Sequence, residues 1–227
     1  MLQPSRGISR SVEYYDIIEA CPICEGANKL HKNKFQLKRE ATLRQLIDAG
    51  YACYLELGFA ATRIDDIVAK AGYTRGAFYF HFKTKEDVFF HILERRSQLR
   101  NGWIEIPRTC RREDTTLEQL VIKCLQELDS RLKDGRKWFM VITDFYMQNK
   151  TNPEVCAKLA RYYQEWMAEL ARFVDILKVG GWVSHSTDSH QTAAQIWALT
   201  EGYSATSVLF GEYDSNTLLR GIVKLLS

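Results

Sequence analysis

The sequence predicts an all-α protein of about nine helices, on three observations. Apolar residues recur at intervals of three and four along most of the chain. Few stretches alternate with the period of two that marks a strand. The breaks between runs carry helix-end residues such as Gly58, Gly72, Thr74, Thr84 and Asn152-Pro153. The elements follow in order. Residues 1–33 show no sustained period and read as an extension or a short irregular helix. A helix over 35–57 carries Leu43, Leu46, Ile47, Tyr51, Tyr54 and Leu55 on its apolar face and stops at Gly58. Thr62 is the expected N-cap of a short helix with Ile64, Ile67 and Val68 inward, supported by Asp65 three residues on. Ala71-Gly72 ends it. Thr74 caps the next helix, which reaches 81 or 82. Thr84 caps a longer one over 85–100, with Val88, Phe89, Ile92 and Leu93 inward. Further helices are expected at 115–133, 136–148, 154–178, 189–210 and 215–226.

Composition sets the bounds. The 227 residues allow one large domain or two small ones. With 46% hydrophobic and 26% charged residues, the chain has the balance of a soluble globular protein. No apolar run reaches 18 residues, so no transmembrane helix and no membrane partner are expected. Glu13, Asp16 and Glu19 interrupt the first 30 residues, which lack a signal-peptide core. A cytoplasmic location follows as the expectation, with the six cysteines mostly reduced. The net charge of +3 is unevenly placed. Residues 32–100 hold thirteen Lys/Arg against eight Asp/Glu, a net +5, while the flanks are each −1. A basic module of this kind fits a polyanionic partner, although surface charge also fluctuates by chance.

Residues 62–82 make two short helices joined by a tight, glycine-containing turn. That geometry lays a second helix in the major groove of DNA while the first braces it. Arg75 and Tyr79 lie four apart on one face, and Arg75 could donate bidentately to a guanine. The Thr74 hydroxyl can cap its helix and still reach a phosphate. Gly76 permits close approach. Lys85 stands in a first helical turn, where the macrodipole disfavours a cation. A phosphate there would meet both ammonium and helix N–H groups. Alternatively Lys85 is a solvated residue offset by Glu86 and Asp87.

The run from Gly58 to Glu86, GFAATRIDDIVAKAGYTRGAFYFHFKTKE, resembles the DNA-binding signature of the TetR family of bacterial transcriptional regulators. The resemblance covers about residues 38–93. It implies a three-helix DNA-binding domain joined to a divergent helical domain that binds an effector and dimerises. The corresponding boundaries are 1–33 for the extension, 34–84 for the helix-turn-helix domain and 85–227 for the effector and dimer domain. By position, the resemblance implies DNA contacts at Arg63, Thr74, Arg75, Gly76, Tyr79, His81 and Lys85. Arg63 departs from the pattern, which commonly has a small hydroxyl residue there; the arginine could extend the phosphate footprint or reach a base. Phe80 sits at a variable position and could touch a thymine methyl or pack.

The remainder is rich in aromatics. Trp138, Ile142 and Phe145 share one helical face; Tyr163, Trp166, Leu170 and Phe173 share another. Together with Trp103 and Trp197 they could wall an effector pocket suited to a hydrophobic or aromatic small molecule, or they could be ordinary core. The effector's charge stays open. Trp197, Glu201, Ala205 and Leu209, followed by Leu218, Leu219 and Ile222, are the expected homodimer face. Packing of the last helix within the protomer is the competing reading.

Cys21-Pro22-Ile23-Cys24 with His31 offers three zinc-type ligands, which is half a site, or a thiol redox pair. Neither is required, and no cofactor is expected. Cys53, Cys124 and Cys156 read as small core residues. The leading reading is a ligand-responsive repressor that binds a palindromic double-stranded DNA operator as a homodimer. A metal- or redox-responsive regulator using Cys21, Cys24 and His31 is the second. A small helical enzyme is the third, with no nucleophile–base pair, phosphate loop or carboxylate pair to support it.

Overall fold

The computed structural model describes residues 33–100, 102–132, 134–211 and 214–227. All the regular structure among them is helical: α1 Lys34–Leu57, α2 Ile64–Ala71, α3 Arg75–His81, α4 Lys85–Arg100, α5 Ile106–Thr109, α6 Leu117–Arg131, α7 Gly135–Asn149, α8 Pro153–Val179, α9 Ser189–Phe210 and α10 Ser215–Leu226. The all-α expectation holds. A single 3-10 turn, Trp103–Glu105, precedes α5. The Cys21-Cys24-His31 group lies outside the described residues.

Compact packing divides the chain between Thr42 and Leu43. In the first unit, Asn33 and Gln36 cap α1 reciprocally: the Gln36 amide donates to Asn33 Oδ1 at 2.8 Å, and the Asn33 amide to Gln36 Oε1 at 2.9 Å. Phe35 and Leu37 remain exposed.

The second unit holds two apolar cores. One lies beneath the helix-turn-helix and joins Leu46 and Tyr54 of α1, Ile67 of α2, Phe78 of α3, Phe89 of α4 and Phe145 of α7. The Phe89 and Phe145 rings stack at 3.7 Å between centroids, and Phe59 meets Phe145 edge-on at 4.8 Å. Gly50 admits α4 closely: a Cβ there would fall 2.5 Å from Val88 Cγ1. The other core joins Trp103, Leu120, Trp166, Val174, Leu177, Ala193 and Ile222.

Caps set most boundaries. Thr74 accepts from the Ala77 amide at 3.3 Å, and Thr84 from the Asp87 amide at 3.2 Å. Asn152 accepts from the Glu154 and Val155 amides ahead of Pro153. Gly72 closes α2 in the left-handed region at φ 72°, which a β-carbon would strain. Thr62 is not the cap of α2. It is buried, and its hydroxyl donates inward to Gly58 O at 2.6 Å. The cap position falls to Arg63, whose amide donates to Asp66 Oδ2 at 2.8 Å. The sequence also gave no hint of the 3-10 turn and α5, a pair too short to show a period.

Candidate nucleic-acid interface

Helix α3 is seven residues long and has two unlike faces. Phe78 is fully buried against Phe82 and the core. Thr74, Arg75, Gly76, Tyr79 and Phe80 are exposed, Tyr79 at 51% and Phe80 at 67%. These large apolar side chains face solvent at a point the core does not need. Arg75 Nη1 lies 3.4 Å from Asp65 of α2. The Tyr79 hydroxyl and the Asp65 carboxylate hold its guanidinium above its ordinary pKa. Between two exposed groups such a pair is weak and exchanges readily for a stronger anion. Arg63 is also exposed, one residue before α2, and His81 is half-buried.

Lys85 is placed differently from the others. It is half-buried, and its ammonium donates to Phe59 O at 2.8 Å, Thr62 O at 2.9 Å and Ala60 O at 3.2 Å. It also sits 4.4 Å from the Phe59 ring centroid. Burial pushes its pKa below the usual lysine value. Sequence spacing could not show this, because the acceptors lie 23 to 26 residues away.

The residues expected around an effector do not form one cluster. Trp138, Ile142 and Phe145 pack with α1 and α4 in the core beneath the helix-turn-helix. Trp103, Trp166 and Trp197 belong to the other core. Tyr163 packs against the first of these cores and meets Trp197 of the second at 5.5 Å between centroids, so the two groups touch there. A polar groove of about 300 Å³ lined by residues 112–117, Gln119 and Trp182 involves none of them. Two residues that pattern reading passed over are Arg96 and Arg100, both 5% exposed. Arg96 donates to the Tyr51 hydroxyl at 3.0 Å and lies over Trp138. Arg100 donates to the Tyr162 hydroxyl and to Ser97 Oγ, pairs with Glu169 at 3.5 Å, and lies 4.3 Å over Trp166. The end of α4 is thus tied by cations to α1, α7 and α8. The available signal was their spacing: Arg96 and Arg100 continue the stripe of Val88, Phe89, Ile92 and Leu93 at intervals of three and four.

At the other end, Leu219 and Ile222 are buried within the protomer, with Leu226. Both pack into the second core of the protomer. Trp197, Glu201, Ala205 and Leu218 are half-buried, and Leu209 is exposed beside Phe210.

An exposed short helix braced by a second helix over a shared core is the architecture of a helix-turn-helix DNA-binding regulator. The family model described as "Bacterial regulatory proteins, tetR family" matches residues 46–92. The chain is 30% identical over 188 residues to the HTH-type transcriptional regulator YwcC of Bacillus subtilis, covering 81% of this chain and 83% of that one. It is 29% identical over 188 residues to the HTH-type transcriptional repressor BepR of Brucella suis, covering 79% and 86%. Among solved structures, the regulator FadR of Bacillus subtilis, in complex with stearoyl-CoA, superposes with a TM-score of 0.64 at 20% identity, over 81% of this chain and 97% of that one. The chain belongs to the TetR family of transcriptional regulators. Among the described residues, no helix is long and apolar enough to cross a membrane.

Proposed function

We propose that the protein is a repressor that binds a palindromic operator as a homodimer and is released by a small hydrophobic or aromatic effector. Residues 34–84 carry DNA reading, and residues 85–227 carry the effector and the dimer contact. The observation that supports this most is the outward face of α3, with Arg75, Gly76 and Tyr79 exposed and Phe78 buried. Arg75 is the base reader. Arg63, Thr74 and His81 lie around it as backbone contacts. The repressor role draws on the name of the Brucella relative, and the apolar effector on the aromatic content of the effector half and the acyl ligand of FadR.

The two-fold contact rests on α9, where Leu209 and Phe210 are 72% and 75% exposed. Glu201 and Ala205 on the same helix, with Trp197 and Leu218, complete it. The effector acts through α4, whose last turn holds Arg96 and Arg100 against three other helices. Moving those contacts alters the separation of the two α3 helices. A ligand does so only by its difference in affinity for the two states.

The test is a duplex selected by the protein from a random-sequence pool. Arg75→Ala lowers affinity for that duplex by about 1–3 kcal/mol and flattens preference at one base pair. Affinity for unrelated duplex changes little. Equal loss on both duplexes would make Arg75 a phosphate contact instead.

A further inference from the structure

The turn between α1 and α2, residues 58–63, has no helix or strand of its own to pair its backbone groups. Such groups must find partners elsewhere when they leave water. Side chains from three places supply them. Lys85 of α4 donates to the carbonyls of Phe59, Ala60 and Thr62. Asp144 of α7 accepts from the Ala60 amide at 2.8 Å. Thr62 itself donates to Gly58 O and to Cys53 O. Tyr54, fully buried, donates to the backbone carbonyl of Lys85 at 2.7 Å and so fixes the start of α4 against α1.

We propose that Lys85 and Asp144 are positioning residues that grip the α1–α2 turn from α4 and α7 and so set the placement of α2 and α3 for DNA. This rests on the DNA-binding reading above but departs from it for Lys85. An ammonium has three protons to donate, and here three carbonyls receive them. A phosphate contact would require it to abandon one. The turn ends at Arg63, the cap of α2, and α2 carries α3. Shifting the turn shifts the reading helix. Asp144 makes α7, a helix of the effector half, a direct holder of the same turn.

The sign of charge separates gripping from electrostatics. Taking a carboxylate away from a DNA-binding protein should leave affinity for a polyanion unchanged or raise it. Gripping predicts the opposite for Asp144→Ala. The experiment titrates the full-length protein with the pool-selected duplex between 50 and 300 mM salt, for wild type, Asp144→Ala, Asp144→Asn and Lys85→Gln. The salt values are about the range where phosphate contacts show their slopes. Asp144→Ala is expected to weaken binding about tenfold, and Asp144→Asn, which keeps an acceptor for the Ala60 amide, to restore most of it. Lys85→Gln is expected to weaken binding by a similar factor with an unchanged log–log salt slope. Circular dichroism confirms that each variant is helical; if Lys85→Gln is not, the Asp144 pair decides. A slope reduced by about 0.9 in Lys85→Gln would make Lys85 a phosphate contact and overturn its part. Unchanged or tighter binding by Asp144→Ala would overturn the grip. Failure of the wild type to select any duplex would instead strike the DNA-binding reading itself.

Discussion

The two apolar cores of residues 43–227 differ in the residues that build them and in the helices they join. The core beneath the helix-turn-helix is a stack of rings, Phe59, Phe89, Phe145 and Trp138, with charged groups at its rim that hold backbone. The second core is mainly aliphatic along α8, α9 and α10, with Trp103, Trp166 and Trp197 at one side. The first includes side chains from α4, α7 and α8 as well as α1 to α3. Helices α1 to α3 are thus packed directly on α4, α7 and α8. A change at α7 has a short path to α3, whereas a change at α10 does not.

Truncation should break this comparison most sharply. Phe145→Ala removes a fully buried ring stacked on Phe89, and about 3–5 kcal/mol of unfolding free energy should go with it in urea titration. The folded fraction should also bind the selected duplex more weakly. Leu177→Ala, fully buried in the second core, should cost about 2–5 kcal/mol and leave the duplex affinity of the folded fraction intact. Equal effects on DNA from both would show that the cores act as one.

How much of this was legible in the sequence depends on the range of the interaction. The starts of α3, α4 and α8 were readable because Thr74, Thr84 and Asn152 bond to amides two or three residues away. The start of α2 was misplaced because Thr62 turns its hydroxyl back to carbonyls four and nine residues earlier. Helical periodicity told which face of α7 is apolar but not what it meets. Trp138, Ile142 and Phe145 were open to being pocket wall or core, and only the fold shows that they pack with α1 and α4. The stripe on α10 was also readable, yet Leu219 and Ile222 spend it within the protomer. Lys85 shows the limit most clearly: its residue type and position fit a phosphate, and only the folded turn reveals its three carbonyls.

A gentler probe compares how readily the cores open. Cys53 is buried in the first and Cys124 in the second, and burial raises both thiol pKa values, that of Cys124 to about 12. Neither should react with iodoacetamide in the native state, whereas half-buried Cys110 and Cys156 should. Peptide-resolved mass spectrometry in dilute urea should then label Cys124 before Cys53. The second core includes α10, the last helix of the chain, and a core built on a terminal helix is expected to open locally at lower cost. Labelling of Cys53 first would place the weaker core under the reading helix.

The smallest expected effect tests the middle of α9, within its proposed two-fold contact. Burial raises the Glu201 carboxyl above the ordinary glutamate value. The folded state therefore keeps this proton at a pH where the unfolded chain has lost it. Stability contributed by the neutral form is present at low pH. It is lost as pH rises from the ordinary value, about 4.3, through the raised one, after which the cost is constant. Glu201→Gln removes that slope and should raise the neutral-pH Tm by about 1–3 °C. If α9 forms the two-fold contact, pairing buries Glu201 further. The difference between Glu201→Gln and wild type should then grow with protein concentration. A difference independent of concentration would place the carboxyl outside the contact and leave Leu209 and Phe210 to carry it.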